Sequence, residues 1–248
     1  MRHHEIQQLF DNHVYLAFRN KGSSKRLVGK IGVITVFVSD SHNHWSALDR
    51  ARFQENLHSG LYKLMRAASC KQIPLSFSCD FIEATMSMNC TLDNRSEWSN
   101  QCIYQHTGIW ESLFNFQRRY KERHQLDETV VLFVLEKPFR SAASPTTWPC
   151  MAEYCILSSD DNSYVIMHEM LHLFGAVDLY YPRAVVDYLT RTGYVSIMKD
   201  YLSEKIDSLT AYLIGWTDEI DAQAVQLLQQ TKHYTQDMLS EFIRDERG

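Results

Sequence analysis

The segment His168-Glu-Met-Leu-His172-Leu-Phe-Gly175-Ala-Val-Asp178 limits the fold more than any other stretch of the chain. Val165, Ile166, Met167, Leu171, Leu173 and Phe174 surround its polar groups with apolar ones, so the pattern predicts a central, buried helix over 162–174. A buried helix carrying two histidines and a glutamate needs partners for them, because polar groups desolvated without partners are costly. His168 and His172 stand four residues apart, which puts both imidazoles on one helix face about one turn apart. Each can place a nitrogen about 2.0–2.1 Å from one zinc ion. Glu169 points to the side of such a metal, where it can take a proton from an attacking water. Any third ligand must come from outside the helix. Gly175 suits a left-handed cap and a sharp turn, after which Asp178 can swing back, and a carboxylate oxygen is an accepted zinc ligand.

The rest of the chain supplies a scaffold for that helix. Residues 31–38 (IGVITVFV) form a dense β-branched run and predict a buried strand, 47–68 a helix, 73–82 a second strand, 109–120 a second helix and 129–135 (TVVLFVL) a third strand. Residues 85–107 are polar and without a clear period, which predicts a loop or insertion. The three prolines of 138–149 predict another loop, and 153–157 (EYCIL) a short fourth strand. Strands alternating with helices predict an α/β layered domain with a mostly parallel sheet. A long helical pattern runs from 209 to 230, and a further one to the C-terminus. Ile6, Leu9, Phe10, His13, Val14 and Ala17 follow a helical stripe, so 1–26 is expected to be an N-terminal helical extension joined through 21–26 to one domain over 27–248.

With those residues in view, the chain resembles the metzincin metallopeptidases, whose pattern is HExxHxxGxxH. It departs at the last position, where Asp178 stands for the usual histidine, as in the minority typified by the snapalysin family. The family carries a methionine in a tight turn under the metal, and Met198 in Ser196-Ile-Met198, twenty positions beyond Asp178, matches it. The resemblance covers roughly 30–230 and implies a mostly parallel twisted sheet with an antiparallel edge strand over an active-site helix, plus a mainly helical C-terminal subdomain after 175. It also implies Zn2+ held by His168, His172 and Asp178, with Glu169 as general base. Asp187, Glu204 and Asp207 stand as rival third ligands, as in the gluzincin arrangement, and Tyr194 or Tyr201 could reach the reacting carbonyl or the metal. The family's antiparallel edge strand corresponds to 153–157, so an extended substrate is expected to pair with Glu153, Tyr154, Cys155, Ile156 and Leu157.

Composition narrows the partners. The net charge of −5 disfavours nucleic acid. Arg118, Arg119, Lys121 and Arg123, interrupted by Glu122, read as a solvated helix face, and Asp40-Ser-His42-Asn-His44 as a loop with exposed histidines rather than a second metal site. No run of about 18 apolar residues predicts a membrane span. The six cysteines form no Cys-x-x-Cys pair and the N-terminus shows no apolar signal region, so free thiols and a cytoplasmic monomer are expected, with signal-independent export as the other route. The expected activity is hydrolysis of a protein or peptide substrate. The alternative is a zinc-binding interaction domain that does not cut, against which the intact Glu169 weighs.

Overall fold

A computed structural model describes residues 1–40, 44–86, 94–136, 140–200, 202–235 and 238. Helix α1 (His3–Phe10) and a 3-10 turn (Val14–Leu16) precede strand β1 (Gly29–Ser39). Then follow α2 (Ala47–Cys70), β2 (Leu75–Thr85), α3 (Arg95–Thr107), α4 (Leu113–His124), β3 (Glu128–Leu135), β4 (Ala142–Ser144) and β5 (Tyr154–Ser158). Helices α5 (Ser163–His172), α6 (Arg183–Arg191), α7 (Ser208–Leu213) and α8 (Ala222–Thr231) complete the described order.

The five strands form one sheet in the order β2-β1-β3-β5-β4. All neighbours pair parallel except β4, which runs antiparallel to β5 at the edge. The central strands β1 and β3 are buried along most of their length and mainly apolar, because both faces are covered. Ile31, Val33 and Phe37 of β1 point to one side, where they share a core with Phe53, Leu57 and Leu64 of α2 and Met167, Met170 and Leu171 of α5. Ile34, Val36 and Val38 point to the other, against Trp98, Cys102 and Ile103 of α3 and Leu113 and Phe116 of α4. The two-residue alternation of a strand thus divides one sequence run between two cores.

Four expectations need correction. Residues 95–107 are helical, not a loop: Trp98, Cys102 and Ile103 give α3 a narrow buried stripe within an otherwise polar stretch. The proline-bearing 138–149 segment contains β4. The strand at Glu153, Tyr154, Cys155, Ile156 and Leu157 is not the edge of the sheet. Tyr154, Cys155 and Ile156 are paired on both sides, to β3 and to β4, and Glu153 is buried just before them, so no substrate backbone can add there. Among the described residues, the free edge on this side of the sheet belongs to β4. Finally, 209–230 is not one helix, because the chain breaks between α7 and α8, where Asp221 caps the second. Helix α6 was not legible as a separate element. His42 and Tyr201, and most of the helix expected after 231, lie outside the described residues.

Residues 1–26 carry apolar side chains into the main core: Ile6, Phe10, Val14 and Tyr15 join the cluster that includes Leu227 and Leu228 of α8. The amino terminus donates to Ile220 O, and the backbone N–H of Leu27 to Ile214 O. Cys70, Cys79, Cys150 and Cys155 take part in no disulfide. Among the described residues no helix is long and apolar enough to cross a membrane.

His13 fastens this N-terminal segment. Its Nδ1 accepts from Tyr15 N at 3.1 Å, while Nε2 faces Leu228 O and Thr231 Oγ1, each at 3.0 Å. Both nitrogens are satisfied only in the neutral ring, and burial lowers its pKa from 6.5 to about 4 although the Leu228 carbonyl opposes the shift. Between those values the unfolded chain binds the proton and the folded one does not. The stability is therefore present above pH 6.5 and is lost as pH falls towards 4, at up to roughly 1.4 kcal/mol per pH unit. Urea unfolding at a series of pH values should give this slope, and His13→Gln should flatten it. An unchanged slope in the variant would assign the acid sensitivity to another group.

Candidate metal centre

Helix α5 begins at Asn162, whose side chain accepts from the N–H groups of Tyr164 and Val165. Ile166, Met167, Met170 and Leu171 bury it beneath the sheet and against α2. The approach to α2 is close: a Cβ on Gly60 would stand 2.9 Å from Ser163 O. This packing leaves His168 and His172 on the remaining face, with ring centroids 4.8 Å apart and planes at 86°.

The helix stops at a turn whose form depends on Gly175, at φ +96°. A Cβ there would also lie 2.9 Å from Phe18 O, so the turn is pressed against the N-terminal segment. The chain then doubles back and delivers Asp178 to the histidine pair. Asp178 Oδ1 lies 3.0 Å from His168 Nε2 and 3.1 Å from His172 Nε2, and the two Nε2 atoms are 3.2 Å apart.

Hydrogen bonds on the far side of each ring determine which nitrogen faces this point. His168 Nδ1 lies 3.0 Å from Ile197 O, and His172 Nδ1 2.8 Å from Ala176 O. A carbonyl only accepts, so both Nδ1 atoms carry protons and donate, and in the neutral rings both Nε2 atoms present lone pairs. Two imidazole lone pairs and a carboxylate oxygen therefore converge. Three acceptors within about 3 Å of one another require a proton or a cation between them. Burial works against a charged ring, but the Asp178 carboxylate outweighs it and holds the His172 pKa up to about 9. Burial would likewise raise Asp178, yet the two imidazoles drive it far below the carboxylate range.

The donor set fits zinc. Ligands bonded at about 2.0–2.1 Å in a tetrahedron stand about 3.3 Å from one another, close to the three separations here. Among the described residues, His168, His172 and Asp178 form the one group of three such side chains close enough to share an ion. The rival carboxylates are engaged elsewhere. Asp187 lies on the exposed side of α6 near Arg183. Glu204 pairs with Lys63 and accepts from the Tyr164 hydroxyl. Asp207 is buried and accepts from the hydroxyls of Tyr194, Ser196 and Thr210, which also removes Tyr194 from the site.

Met198 is fully buried in a tight turn at 196–199, in which the N–H groups of Lys199 and Asp200 both donate to Ser196 O. Its own carbonyl accepts from Leu179 N at 2.8 Å, and its neighbour Ile197 braces His168. The turn thus touches the site from both the helix side and the Asp178 side. Glu169 is half-buried, and its charge reaches His172, Tyr180, Asp161 and Cys155.

Two residues next to Asp178 were missed in sequence. The Tyr181 hydroxyl donates to Asp178 Oδ2 at 3.1 Å, which leaves Oδ1 turned to the histidines. The Tyr180 ring stacks on His168, centroids 5.9 Å apart, and its hydroxyl meets Arg140, which lies two residues before β4. The signal available was the pair of tyrosines directly following Asp178-Leu179.

No protein-family model and no curated protein matches the chain. Among solved structures, it is similar to the crystal structure of metalloproteinase-II from Bacteroides fragilis, with TM-score 0.41 and 10% identity over 86% of this chain. The match spans 61% of that protein's length. A likeness of that size does not bear on function, so the chemistry rests on the site itself.

Graded metal affinities are expected from this geometry. His168→Ala and His172→Ala should hold no stoichiometric zinc after dialysis, and Asp178→Ala should hold it weakly. Tyr181→Phe, which leaves the three donors in place, should lose about 10–100-fold in affinity. Elemental analysis and competition with a chromogenic chelator measure these, and full affinity in Asp178→Ala would remove it from the ligand set.

Proposed function

We propose that the chain is a zinc-dependent endopeptidase of metzincin type. The observation that carries this reading is the convergence of the metal-facing atoms of His168, His172 and Asp178, with Glu169 on the same helix turn. The pattern HExxHxxGxxD, the turn at Met198 and the mostly parallel sheet with an antiparallel edge strand agree with it.

Bound zinc supplies a Lewis acid that polarises the scissile carbonyl and brings the pKa of water towards about 7. The residues of the chain do the rest. His168 and His172, fixed in one tautomer by Ile197 O and Ala176 O, hold the ion together with Asp178, whose orientation Tyr181 sets. Glu169 takes the proton from the attacking water and passes it to the leaving nitrogen. No side-chain nucleophile is needed, and no covalent acyl-enzyme forms.

Substrate alignment falls to β4. One side of this strand pairs with β5, and its other side is the free edge of the sheet. Unpaired N–H and C=O groups there can take an extended peptide as a sixth strand. Main-chain pairing of this kind holds the scissile bond at the metal with little demand on sequence.

Glu169→Gln is expected to keep full zinc and the wild-type melting temperature but to lose about a hundredfold or more in hydrolysis of a denatured protein. Wild-type cutting by that variant would end the general-base assignment. A wild-type protein that holds zinc and cuts nothing would instead favour a binding domain.

A further inference from the structure

We propose that Trp148 and Met151, on the loop joining β4 to β5, form an apolar platform that selects substrates. It would take an aromatic or branched aliphatic side chain of an extended polypeptide lying along β4. The inference rests on the endopeptidase reading.

Trp148 is 68% exposed and Met151 55%, so neither contributes much to the core. Yet the loop that presents them is built firmly. Thr146 N donates to Glu153 Oε1 at 3.0 Å, and the same buried carboxylate takes Ser24 N at 2.8 Å. Trp148 N donates to Thr146 Oγ1 at 3.1 Å, and Met151 N to Trp148 O at 3.2 Å. The Met151 sulfur meets Thr146 Oγ1 at 4.0 Å. Pro145 and Pro149 restrict the backbone further. Two large apolar side chains are thus held outward on one compact turn. Such a platform loses little conformational entropy on binding, and tryptophan is the side chain most often found at the energetic centre of an interface.

Continuity with the free edge identifies the occupant. The loop continues directly from Ser144, the last residue of β4. Arg140, at the other end of the strand, reaches Tyr180 beside the metal-facing trio. The free edge of β4 therefore leads from the candidate centre to Trp148. A peptide pairing antiparallel to β4 runs from Trp148 towards the centre, so the residue it presents to the platform lies N-terminal to the scissile bond. Ser144 stands four positions and Trp148 eight positions beyond Arg140, so along an extended strand the separation is roughly four to eight residues. The platform would then prefer long, unfolded segments over short peptides, and add a side-chain requirement that main-chain pairing lacks.

The test compares zinc-loaded wild type with Trp148→Ser and Met151→Ser. Each is given a library of peptides from a digested proteome, and cut sites are read by mass spectrometry. Synthetic peptides based on the best sites are then made with and without the N-terminal stretch. The wild type is expected to favour sites with an apolar residue four to eight positions N-terminal to the cut. The variants should lose that preference and about tenfold in kcat/KM on the long peptides, through KM. Their kcat, zinc content, melting temperature and activity on short peptides should match wild type. Cleavage by wild type without the preference, or variants equal to it on long peptides, would overturn the platform and leave the endopeptidase reading standing. No cleavage of any peptide would overturn both. A wild-type dimer dissociated by Trp148→Ser would assign the surface to a second copy of the chain and overturn the proposal.

Discussion

The carbonyl oxygens of Ile197 and Ala176 hold the site in its one workable form. Each takes the Nδ1 proton of a histidine, 3.0 Å away for His168 and 2.8 Å for His172, and so turns two lone pairs towards Asp178. Much of the C-terminal part of the fold serves those two contacts. Ile197 O is where it is because the 196–199 turn is fixed, and that turn is fixed by Asp207 below it. Asp207 caps α7 and accepts from Ser196, Tyr194 and Thr210 at once. Ala176 O follows from the turn at Gly175, which closes against Phe18 of the N-terminal segment. That segment is held in turn by His13 on α8. The first residues and the last helices thus set the orientation of imidazoles carried by a helix between them.

This dependence explains why the site was more legible in sequence than its surroundings. His168, His172, Gly175 and Asp178 lie within eleven residues, and the helix repeat alone brings the first two together. Asp178 needed only a turn, and a glycine marks where that turn occurs. The choice among Asp178, Asp187, Glu204 and Asp207 was a tertiary matter, because it depends on which carboxylates are already engaged. Nothing local distinguishes Asp207, whose three hydroxyl donors come from residues up to thirteen positions away. The brace on His168 was hidden for another reason: a backbone carbonyl leaves no mark on residue identity.

The strands show the same division. β1 and β3 are continuous apolar runs, and such runs announce burial on both faces. The position of β5 was misread because edge and interior are settled by pairing, not by composition. Three residues of small side chains, Ala142 to Ser144, are too few to show a period, yet they cover β5 and take over the edge. Helix α3 escaped because only Trp98, Cys102 and Ile103 form its buried stripe amid asparagine, serine and glutamine. In the corrected topology the free edge passes to β4, between Arg140 and the loop bearing Trp148.

X-ray absorption at the zinc edge of protein loaded with one equivalent of metal tests the central claim most directly. The account predicts a first shell of nitrogen and oxygen only, at about 2.0–2.1 Å, with the outer-shell scattering of two imidazoles. A sulfur shell at about 2.3 Å, or scattering from one imidazole or none, would place the metal elsewhere and contradict it.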